Sequence, residues 1–480
     1  NRVAKRRQID LSQFANWYFD IHSETLPDMS EAVPADLVRR TWEQPFAAPE
    51  RIPERADVVI IGGGIIGVCT AWFLARQGVD VVLCEKGHIA GEQSGRNWGW
   101  VRQQLRDTRE MPMIVESLKI WRTLAEDIGE DVGFREQGVM VAASSDKEAE
   151  QFAEWIKTSD KHGVETRLLQ GREIGQVIRG AAKTWKGVLY TPSDGRAEPH
   201  KAGPAIARAA QREGAAVLTA CAVRGVETEG GRVSAVVTEH GTIQTSTVCC
   251  AAGAWTSMFC RSLGITVPQL KVRGTVARTA PCDNVLDGNF FNNQVALRRR
   301  EDGGYTVAHG TILDHPITPS TFRFAFKYIP ALLMEIRNLH LSIGREFIEE
   351  LLAPVRWALD APSPFEKTRV LNPKPNERAL RGIRKNLGKV FPQLAGTELV
   401  EAWAGMIETT PDVIPVIDQA DTLPGFYIAT GFSGHGFGIG PGAGKAIAGL
   451  LTGEDSGIPL DEFRLGRFFD GTKLEIQGSV

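Results

Sequence analysis

Several features that mark particular protein classes are missing from this sequence. Its 480 residues carry a formal net charge of only −3, which gives no reason to expect nucleic acid or an anionic membrane surface as a partner. It contains no run of 18 apolar residues, so we predict no membrane span. The basic N-terminus is not followed by the apolar segment of a signal peptide, and we therefore expect a cytoplasmic protein.

Metal-binding and disulfide patterns are also missing. The seven cysteines form no C-x-x-C pair, which indicates reduced thiols rather than a disulfide framework. The adjacent Cys249 and Cys250 end an apolar run, where we expect a buried strand end rather than a redox pair. The nine histidines form no H-x-x-x-H pair, so we predict no metal site.

The strongest pattern that is present lies near the N-terminus and is typical of dinucleotide binding. An apolar run predicts a buried parallel strand, and Gly62, Gly64 and Gly67 follow it in G-x-G-x-x-G spacing. These glycines allow a tight turn, close approach of a pyrophosphate and packing of the next helix, whose N-terminus faces the phosphates. A second strand, 79–84, ends at Glu85, where an acid binds a ribose hydroxyl. The motif alone does not separate NAD from FAD.

A second glycine-rich segment favours FAD. Glycines recur at every second position from Gly434 to Gly444, after a short strand, and Pro441 predicts the first turn of a helix that ends at Gly453. Such a helix N-terminus can face a ligand, although small residues also serve close helix packing. An ordinary NAD dehydrogenase does not need this element, whereas a ligand held from both ends of the chain suits FAD.

The order of elements predicts an α/β protein. We expect a Rossmann-like FAD-binding domain and a discontinuous substrate-binding domain built on an antiparallel sheet. The predicted division is an N-terminal arm with one short helix (1–55), an FAD-binding domain (56–110, 185–270 and 401–452), a substrate-binding domain with a helical insertion (111–184 and 271–400) and a C-terminal tail (453–480).

Two further segments offer ligand-binding side chains. The hairpin predicted at 295–309 places Arg298 and Arg300 on one face and Arg299 on the other, and an arginine that points inward requires an anion. The alternative is an exposed basic hairpin edge. The loop 94–104 is rich in tryptophan, arginine and glutamine, which favours a ligand site over a buried aromatic plug beside a solvated loop.

On these residues the chain resembles the D-amino-acid-oxidase superfamily of FAD enzymes. The shared stretches are Gly62–Gly67 with Glu85, Ala252–Trp255, Trp403–Gly405, Thr410–Asp412 with Pro415, and Gly431–Gly438, the last being close to sarcosine oxidases. Within the superfamily the chain most resembles bacterial L-amino acid deaminases, through Ser94–Arg96, Cys221–Thr228 and Ser342–Gly344. The likeness runs from about Ala56 to Arg467.

The resemblance implies oxidation of an L-amino acid to an imino acid, which hydrolyses to a 2-oxo acid and ammonia. It implies hydride transfer from Cα to flavin N5, so that the protein mainly positions Cα and keeps the amine neutral. Gly405 stands where covalent-flavin sarcosine oxidases have a cysteine, so we expect non-covalent FAD. The deaminases carry an N-terminal membrane anchor, which we do not expect within the sequence given, and His435 is expected to stand where they have a tryptophan.

The motifs and the resemblance together assign the site residues. Those expected to bind the cofactor are Gly62, Gly64, Ile65, Ile66, Gly67, Glu85, Lys86, Ser94, Gly95, Arg96, Asn97, Val223, Ala252, Gly253, Trp255, Gly405, Gly434, His435, Gly436, Phe437 and Gly438. Those expected to act in catalysis are Arg298, aligned with the carboxylate-binding arginine of the deaminases, His435 and Trp403.

The substrate pocket is expected to include Trp98, Trp100, Gln103 and Glu408, with core packing as the alternative for each tryptophan. An acid such as Glu408 would suit a basic substrate, for example L-arginine or L-lysine. His435 would flank the flavin or the substrate amine, or support the residues that do.

Three other functions remain open at this point. The nearest is a D-amino acid or secondary-amine (sarcosine- or glycine-type) oxidase or dehydrogenase of the same superfamily, because chirality is not readable from sequence. The others are an NAD-binding dehydrogenase and a non-catalytic flavoprotein. Without an anchor we expect oxygen rather than a quinone as electron acceptor. The expected partner is a small molecule, an amino acid substrate, and a homo-oligomer is compatible with the sequence.

Overall fold

The computed structural model describes residue 46 and residues 51–181, 185–335 and 339–478. The predicted N-terminal arm and its helix near 37–42 lie largely outside these ranges.

The segment that carries the first glycine motif forms the predicted βαβ unit. Strand Val58–Ile61 pairs in parallel with Val81–Cys84, and helix Ile65–Arg76 connects them. Both strands are buried along their whole length. Such continuous burial is what a parallel strand covered on both faces requires, and it explains the unbroken apolar runs.

Strands from three distant parts of the chain complete a six-stranded sheet around this unit. Their order across the sheet is Val416–Gln419, Phe426–Thr430, Val248–Cys250, Val58–Ile61, Val81–Cys84 and Ala216–Leu218. The first runs antiparallel to its neighbour and the others pair in parallel. The carboxyl ends of the parallel strands therefore meet at one edge, where open α/β sheets bind ligands.

Helix Gly436–Thr452 packs against helices Ile65–Arg76 and Met111–Asp127 through its glycines. A Cβ atom at Gly444 would stand 2.5 Å from the Cβ of Cys69, and one at Gly442 would overlap the carbonyl oxygen of Met113. The helix thus begins at Gly436 rather than near Pro441, which lies inside it. The later glycines serve helix packing, the use that we gave as the alternative.

A ten-stranded sheet forms the second layer of the molecule. Nine strands follow one another in the order Leu339–Ser342, Leu313–Pro316, Leu270–Thr279, Tyr305–His309, Val295–Arg299, Asn289–Phe291, Val139–Ala143, Gly187–Thr191 and Arg167–Leu169. The tenth, Leu399–Thr409, pairs antiparallel with Leu270–Thr279 along its length. The predicted hairpin is confirmed, with Arg298 opposite Thr306.

Smaller elements complete the described chain. A meander joins Val223–Glu229, Arg232–Thr238 and Gly241–Gln244, and three short strands pair in the order Trp100–Val101, Gly195–Arg196 and Arg135–Glu136. The remaining helices are Gln93–Arg96, Asp146–Lys161, Ile174–Val177, Pro199–Arg212, Thr256–Ser262, Pro319–Phe324, Ile329–Glu335, Arg345–Leu352, Pro364–Lys367 and Glu377–Val390.

The predicted fold class is confirmed: a mixed α/β protein with one mainly parallel and one mainly antiparallel sheet. The division into domains at particular residues stays a prediction. Cys249 and Cys250 are buried free thiols at a strand end, as expected. Within residues 51–181, 185–335 and 339–478, no helix is long and apolar enough to cross a bilayer.

Candidate active site

A cavity of about 540 Å³ opens at the carboxyl edge of the six-stranded sheet, and residues of both sheets line it. The glycine turn after the first strand contributes Gly62 and Gly64, and the turn before the last long helix contributes Gly434 and Gly436. Segments near both ends of the described chain therefore meet at one ligand-sized space, as the two glycine patterns predict.

The first glycine turn is shaped by backbone that leaves no room for side chains. Gly62 has a φ of +112°, and a Cβ there would lie 2.5 Å from the carbonyl oxygen of Ala251. Glu85 accepts hydrogen bonds from the backbone N–H groups of Gly63 and Gly87, each at 2.7 Å. Burial raises the pKa of Glu85. Each carboxylate oxygen keeps a second lone pair, so this acid can brace the turn and also accept from a ribose hydroxyl.

The short helix Gln93–Arg96 closes one side of the cavity. Ser94 Oγ accepts a hydrogen bond from the backbone of Ile65 at 2.8 Å. Arg96 Nη1 donates to Asn372 Oδ1 at 2.7 Å and to the carbonyl oxygen of Ala404 at 3.0 Å. Trp403 donates to the carbonyl oxygen of Arg96 at 2.7 Å, so this tryptophan lies behind the wall and supports it.

Lys86, Trp255 and Glu92 form another wall of the cavity. Lys86 Nζ lies 4.3 Å from the ring centroid of Trp255 and donates to Glu92 at 3.1 Å. The indole N–H of Trp255 donates to the same carboxylate oxygen of Glu92 at 3.0 Å. The three side chains hold one another in place beside Ala252 and Gly253, which also line the cavity.

Two arginines of the loop after Trp100 line the cavity. Arg102 and Arg106 both line it and are 8% and 3% exposed. Arg106 Nε donates to the carbonyl oxygen of Arg102 at 3.3 Å, and Arg106 Nη1 has no hydrogen-bond partner in the described part of the chain. A buried guanidinium with an unused donor is suited to binding an anion.

Trp98 and Trp100 stand in an edge-to-face pair with ring centroids 5.3 Å apart, and both line the cavity. The indole Nε1 of Trp100 is buried and meets no hydrogen-bond partner among the described residues. An aromatic face with one unused donor fits a ligand that is mostly apolar and carries a polar atom.

His435 enters the cavity from the turn before helix Gly436–Thr452. Left-handed backbone at Ser433 and Gly434, with φ values of 49° and 84°, reverses the chain just before it. Its Nδ1 lies 3.0 Å from Oε2 of the fully buried Glu110. Burial and the nearby charge of Arg106 lower the pKa of His435.

Glu408 lines the cavity beside Gln93, which donates a hydrogen bond to its Oε2. Burial raises the pKa of Glu408 to about 7. This acid is therefore partly protonated at neutral pH, and it is a weak partner for a cationic substrate group.

Arg298 points inward rather than lying on an exposed hairpin edge, but it reaches an anion of its own chain. Its Nη1 and Nη2 donate to the two carboxylate oxygens of Glu198 at 2.8 and 3.0 Å, and Nη2 also donates to Thr306. Arg298 is 1% exposed and is not among the residues that line the cavity. The expected contact with a substrate carboxylate therefore does not follow from its position, whereas Arg106 lines the cavity.

The structure brings most of the predicted site residues together. Those that line the cavity are Gly62, Gly64, Ile65, Ile66, Glu85, Lys86, Ser94, Arg96, Asn97, Trp98, Trp100, Val223, Ala252, Gly253, Trp255, Gly405, Glu408, Gly434, His435, Gly436 and Phe437. Those placed behind the lining are Gly67, Gly95, Gln103, Arg298, Trp403 and Gly438.

Each of the displaced residues has a structural reason. Gly67 and Gly95 pack so close to the carbonyl oxygens of Gly62 and Ala90 that a side chain would overlap them. Gln103 donates through its backbone to Asp194 at 2.7 Å, away from the cavity. The carbonyl oxygen of Gly438 accepts from Trp121 at 2.9 Å. Supporting roles of this kind are invisible in a sequence motif.

Sequence reasoning missed Arg106 and Glu110. The only signal was the four-residue spacing of Arg102 and Arg106 in a loop that already looked unusual.

The residues present fit FAD. A glycine turn at a helix N-terminus is suited to a pyrophosphate, Glu85 keeps lone pairs for a ribose, and the lining residues Trp100 and Arg106 keep unused buried donors. The part of the chain that the structure describes holds no group of side chains set to bind a metal ion.

Comparison with known families decides the class of protein. The family model described as DAO, FAD dependent oxidoreductase, matches residues 57–450. The chain belongs to this family. It is thus an FAD-dependent oxidoreductase, and the alternatives of an NAD dehydrogenase and a non-catalytic flavoprotein are removed.

Individual relatives divide between two kinds of enzyme. The chain is 24% identical over 458 residues to sarcosine oxidase subunit beta of Arthrobacter sp, covering 93% of this chain and 99% of that protein. It is 22% identical to mitochondrial dimethylglycine dehydrogenase of Mus musculus, over 91% of this chain but only 47% of that protein. The L-amino acid deaminase of Proteus myxofaciens, solved with anthranilate, is 32% identical with a TM-score of 0.86, covering 90% of this chain and 98% of that one.

Proposed function

We propose that this DAO-family enzyme oxidises an L-amino acid to the imino acid, which water converts to a 2-oxo acid and ammonia. The observation that carries a carboxylate-bearing substrate is the unpartnered, buried Nη1 of Arg106 on the cavity wall, and the choice of an L-amino acid rests on the solved relative named next. Likeness over most of both chains to the L-amino acid deaminase of Proteus myxofaciens supports the same reading.

Arg106 would bind the substrate carboxylate. Its guanidinium is withdrawn from water and keeps one donor unused, so an entering carboxylate gains a charge-assisted hydrogen bond without displacing an internal partner. Arg102 lies beside it and adds a second positive charge, which strengthens the attraction for an anion.

The walls would fix the rest of the substrate. Trp98 and Trp100 offer an aromatic surface, and Phe152 and Phe291 add apolar side chains that line the same cavity. A substrate held by its carboxylate and its side chain has Cα in one position, which is what reaction at Cα requires. When bound, FAD supplies the acceptor for the hydride that leaves Cα.

FAD would be held without a covalent bond. Gly405 lines the cavity and offers no side chain for attachment. The cysteine that lines the cavity is Cys84, which is 1% exposed. A hydrogen bond with Cys221 and burial raise the pKa of its thiol well above the ordinary range. A thiol held in this form is a poor nucleophile.

We do not propose a preference for basic amino acids. Glu408 is already bonded to Gln93 and is partly neutral at pH 7, while two arginines line the cavity. These charges favour anionic groups over a cationic side chain. Oxygen as the electron acceptor, a cytoplasmic location and assembly into oligomers stay predictions.

A secondary-amine oxidase or dehydrogenase is the second candidate. It is favoured by the relatives named for sarcosine and dimethylglycine, which match over about nine-tenths of this chain. Both candidates need a carboxylate site, so Arg106 does not separate them.

The test is anaerobic mixing of the holoenzyme with L-amino acids, D-amino acids, glycine, sarcosine and dimethylglycine, following the yellow absorbance of the flavin. Rapid bleaching by one class of L-amino acid supports the proposal and names the substrate. Bleaching by N-methyl amines or D-amino acids alone assigns the enzyme to the second candidate. Retention of the yellow band with every compound rejects both.

A further inference from the structure

The buried acid Glu110 and the cavity-lining His435 form a pair that carboxylate binding does not use. Glu110 is 0% exposed and His435 is 4% exposed. The two oxygens of Glu110 lie 3.0 and 3.3 Å from Nδ1 of His435. His435 lines the cavity, and Nε2 of the same ring is buried and has no hydrogen-bond partner within the described residues.

This contact fixes which ring nitrogen carries hydrogen. An ionised carboxylate only accepts hydrogen bonds, so Nδ1 must donate to Glu110. A neutral imidazole has one N–H group, which leaves a lone pair on Nε2. Glu110 therefore selects the tautomer in which His435 offers an acceptor rather than a donor to the cavity.

The surrounding charges keep the ring neutral. Arg106 and Arg102 are the cationic groups that act on His435, and Glu110 is the opposing anion. Burial and the arginines together lower the pKa of His435 despite Glu110. The ring also stands at the N-terminus of helix Gly436–Thr452, where the helix dipole disfavours a cation.

We propose that Glu110 holds His435 so that Nε2 accepts a hydrogen bond from the substrate nitrogen and takes a proton from it when the amine enters as an ammonium. This inference rests on the proposed function. One N–H bond of the ammonium breaks, the proton moves to Nε2, and the electron pair stays on nitrogen as the lone pair that oxidation at Cα requires. Glu110 then stabilises the imidazolium that forms.

The two residues would also fix the orientation in which an amino acid binds. Arg106 offers a donor and His435 an acceptor on the same cavity, so a carboxylate and an amine on one carbon meet complementary partners. A ligand that has the carboxylate and lacks the nitrogen would use only the arginine. This difference separates the two contacts experimentally.

The test compares two ligands in three holoenzyme variants. The ligands are an amino acid that bleaches the wild-type flavin and its nitrogen-free counterpart, such as L-phenylalanine and 3-phenylpropanoate. The variants are Glu110→Gln, His435→Gln and the control Glu116→Gln, which makes the same change on helix Met111–Asp127 at an acid bonded to Lys445. Dissociation constants come from perturbation of the flavin spectrum, under anaerobic rapid mixing for the amino acid.

We expect Glu110→Gln and His435→Gln to weaken amino acid binding about tenfold, as for a lost hydrogen bond to a charged group. Binding of the nitrogen-free acid should stay within about twofold, and Glu116→Gln should match wild type for both ligands. In wild type, amino acid binding should weaken as pH falls through the lowered pKa of His435, since protonated Nε2 cannot accept. That acid limb should vanish in His435→Gln.

Equal weakening of both ligands in the two site variants would overturn the inference and leave the pair a structural support. Unchanged binding of both ligands would overturn it as well. Failure of the proposed function is a different result, because the wild-type flavin would then keep its yellow band with every L-amino acid.

Discussion

A single guanidinium at position 106 should govern affinity for the substrate. In Arg106→Met the carboxylate loses its charge-assisted hydrogen bond, worth about 1.5–3 kcal/mol, so KM should rise roughly 10- to 100-fold. Steady-state kinetics with the best amino acid measure this. The exposed Arg172→Met serves as a control for loss of one positive charge and should leave KM unchanged. An unchanged KM in Arg106→Met would remove this residue from the carboxylate site.

Arg298 should behave in the opposite way, as a residue of the core. Arg298→Met removes the bidentate partner of the charged, buried Glu198 and leaves it the longer contact with Arg196 at 3.5 Å, and breaking a buried pair in this way destabilises a protein by about 3–5 kcal/mol. The double variant Arg298→Met with Glu198→Gln should recover much of this loss. Thermal unfolding measures both, and the folded single variant should keep the substrate affinity of wild type. Loss of affinity without loss of stability would restore Arg298 as a ligand-binding residue.

The same ion pair predicts a pH dependence of stability. Burial alone raises the pKa of Glu198, but the charge and hydrogen bonds of Arg298 outweigh it and lower the value from 4.5 to about 2. A depressed pKa stabilises the folded state above the unfolded value of 4.5, and this contribution is lost as pH falls towards 2. The free energy of unfolding should therefore depend less on pH between about 4.5 and 2 in the double variant Arg298→Met with Glu198→Gln than in wild type.

For single residues, the sequence predicted which face of a strand a side chain lies on better than it predicted the residue that the side chain contacts. Strand alternation was enough to place Arg298 and Arg300 on one face of the hairpin and Arg299 on the other, because it depends on neighbouring residues alone. Its partner Glu198 lies on another element about 100 residues away, and no local pattern joins them. Arg106 was missed for the same reason, since its value lies in what surrounds it rather than in its spacing.

Among the elements, helix Gly436–Thr452 depends most on residues without side chains. Gly442→Ala would press a Cβ into the carbonyl oxygen of Met113 on the neighbouring helix, so the unfolding temperature should fall by an amount that corresponds to about 1–3 kcal/mol. Gly175→Ala is the matched control, because its Cβ meets nothing within 4 Å and its φ is ordinary. It should be neutral or slightly stabilising. Similar behaviour of the two variants would contradict the packing role.

Element boundaries were predictable where one stretch of chain decides them. The βαβ unit at 57–84 is contiguous, so its strands, turn and helix follow from the local pattern. The last long helix begins five residues before the expected Pro441, because packing against two other helices stabilises glycines that are poor helix formers alone. Strand order in the ten-stranded sheet joins distant segments, and periodicity carries no information about such pairings.

For the whole molecule, FAD should act as a ligand that links the two ends of the chain. A group that binds the folded state alone raises its stability by RT ln(1 + [L]/Kd), so the unfolding temperature of the apoprotein should rise with added FAD. Acid precipitation should release yellow flavin into the supernatant and leave a colourless pellet, because attachment is non-covalent. A yellow pellet would contradict this, and an unfolding temperature independent of FAD would contradict the linkage.

The strands that form this site are synthesised at different times on the ribosome. Strand Val58–Ile61 emerges early, whereas Phe426–Thr430, which extends the same sheet through Val248–Cys250, is made near the end. At roughly 5–20 residues per second the interval is on the order of tens of seconds. During that time an apolar edge of the sheet stays exposed on the nascent chain, and we expect chaperones to protect it. Binding of the cofactor is then a late step of biogenesis.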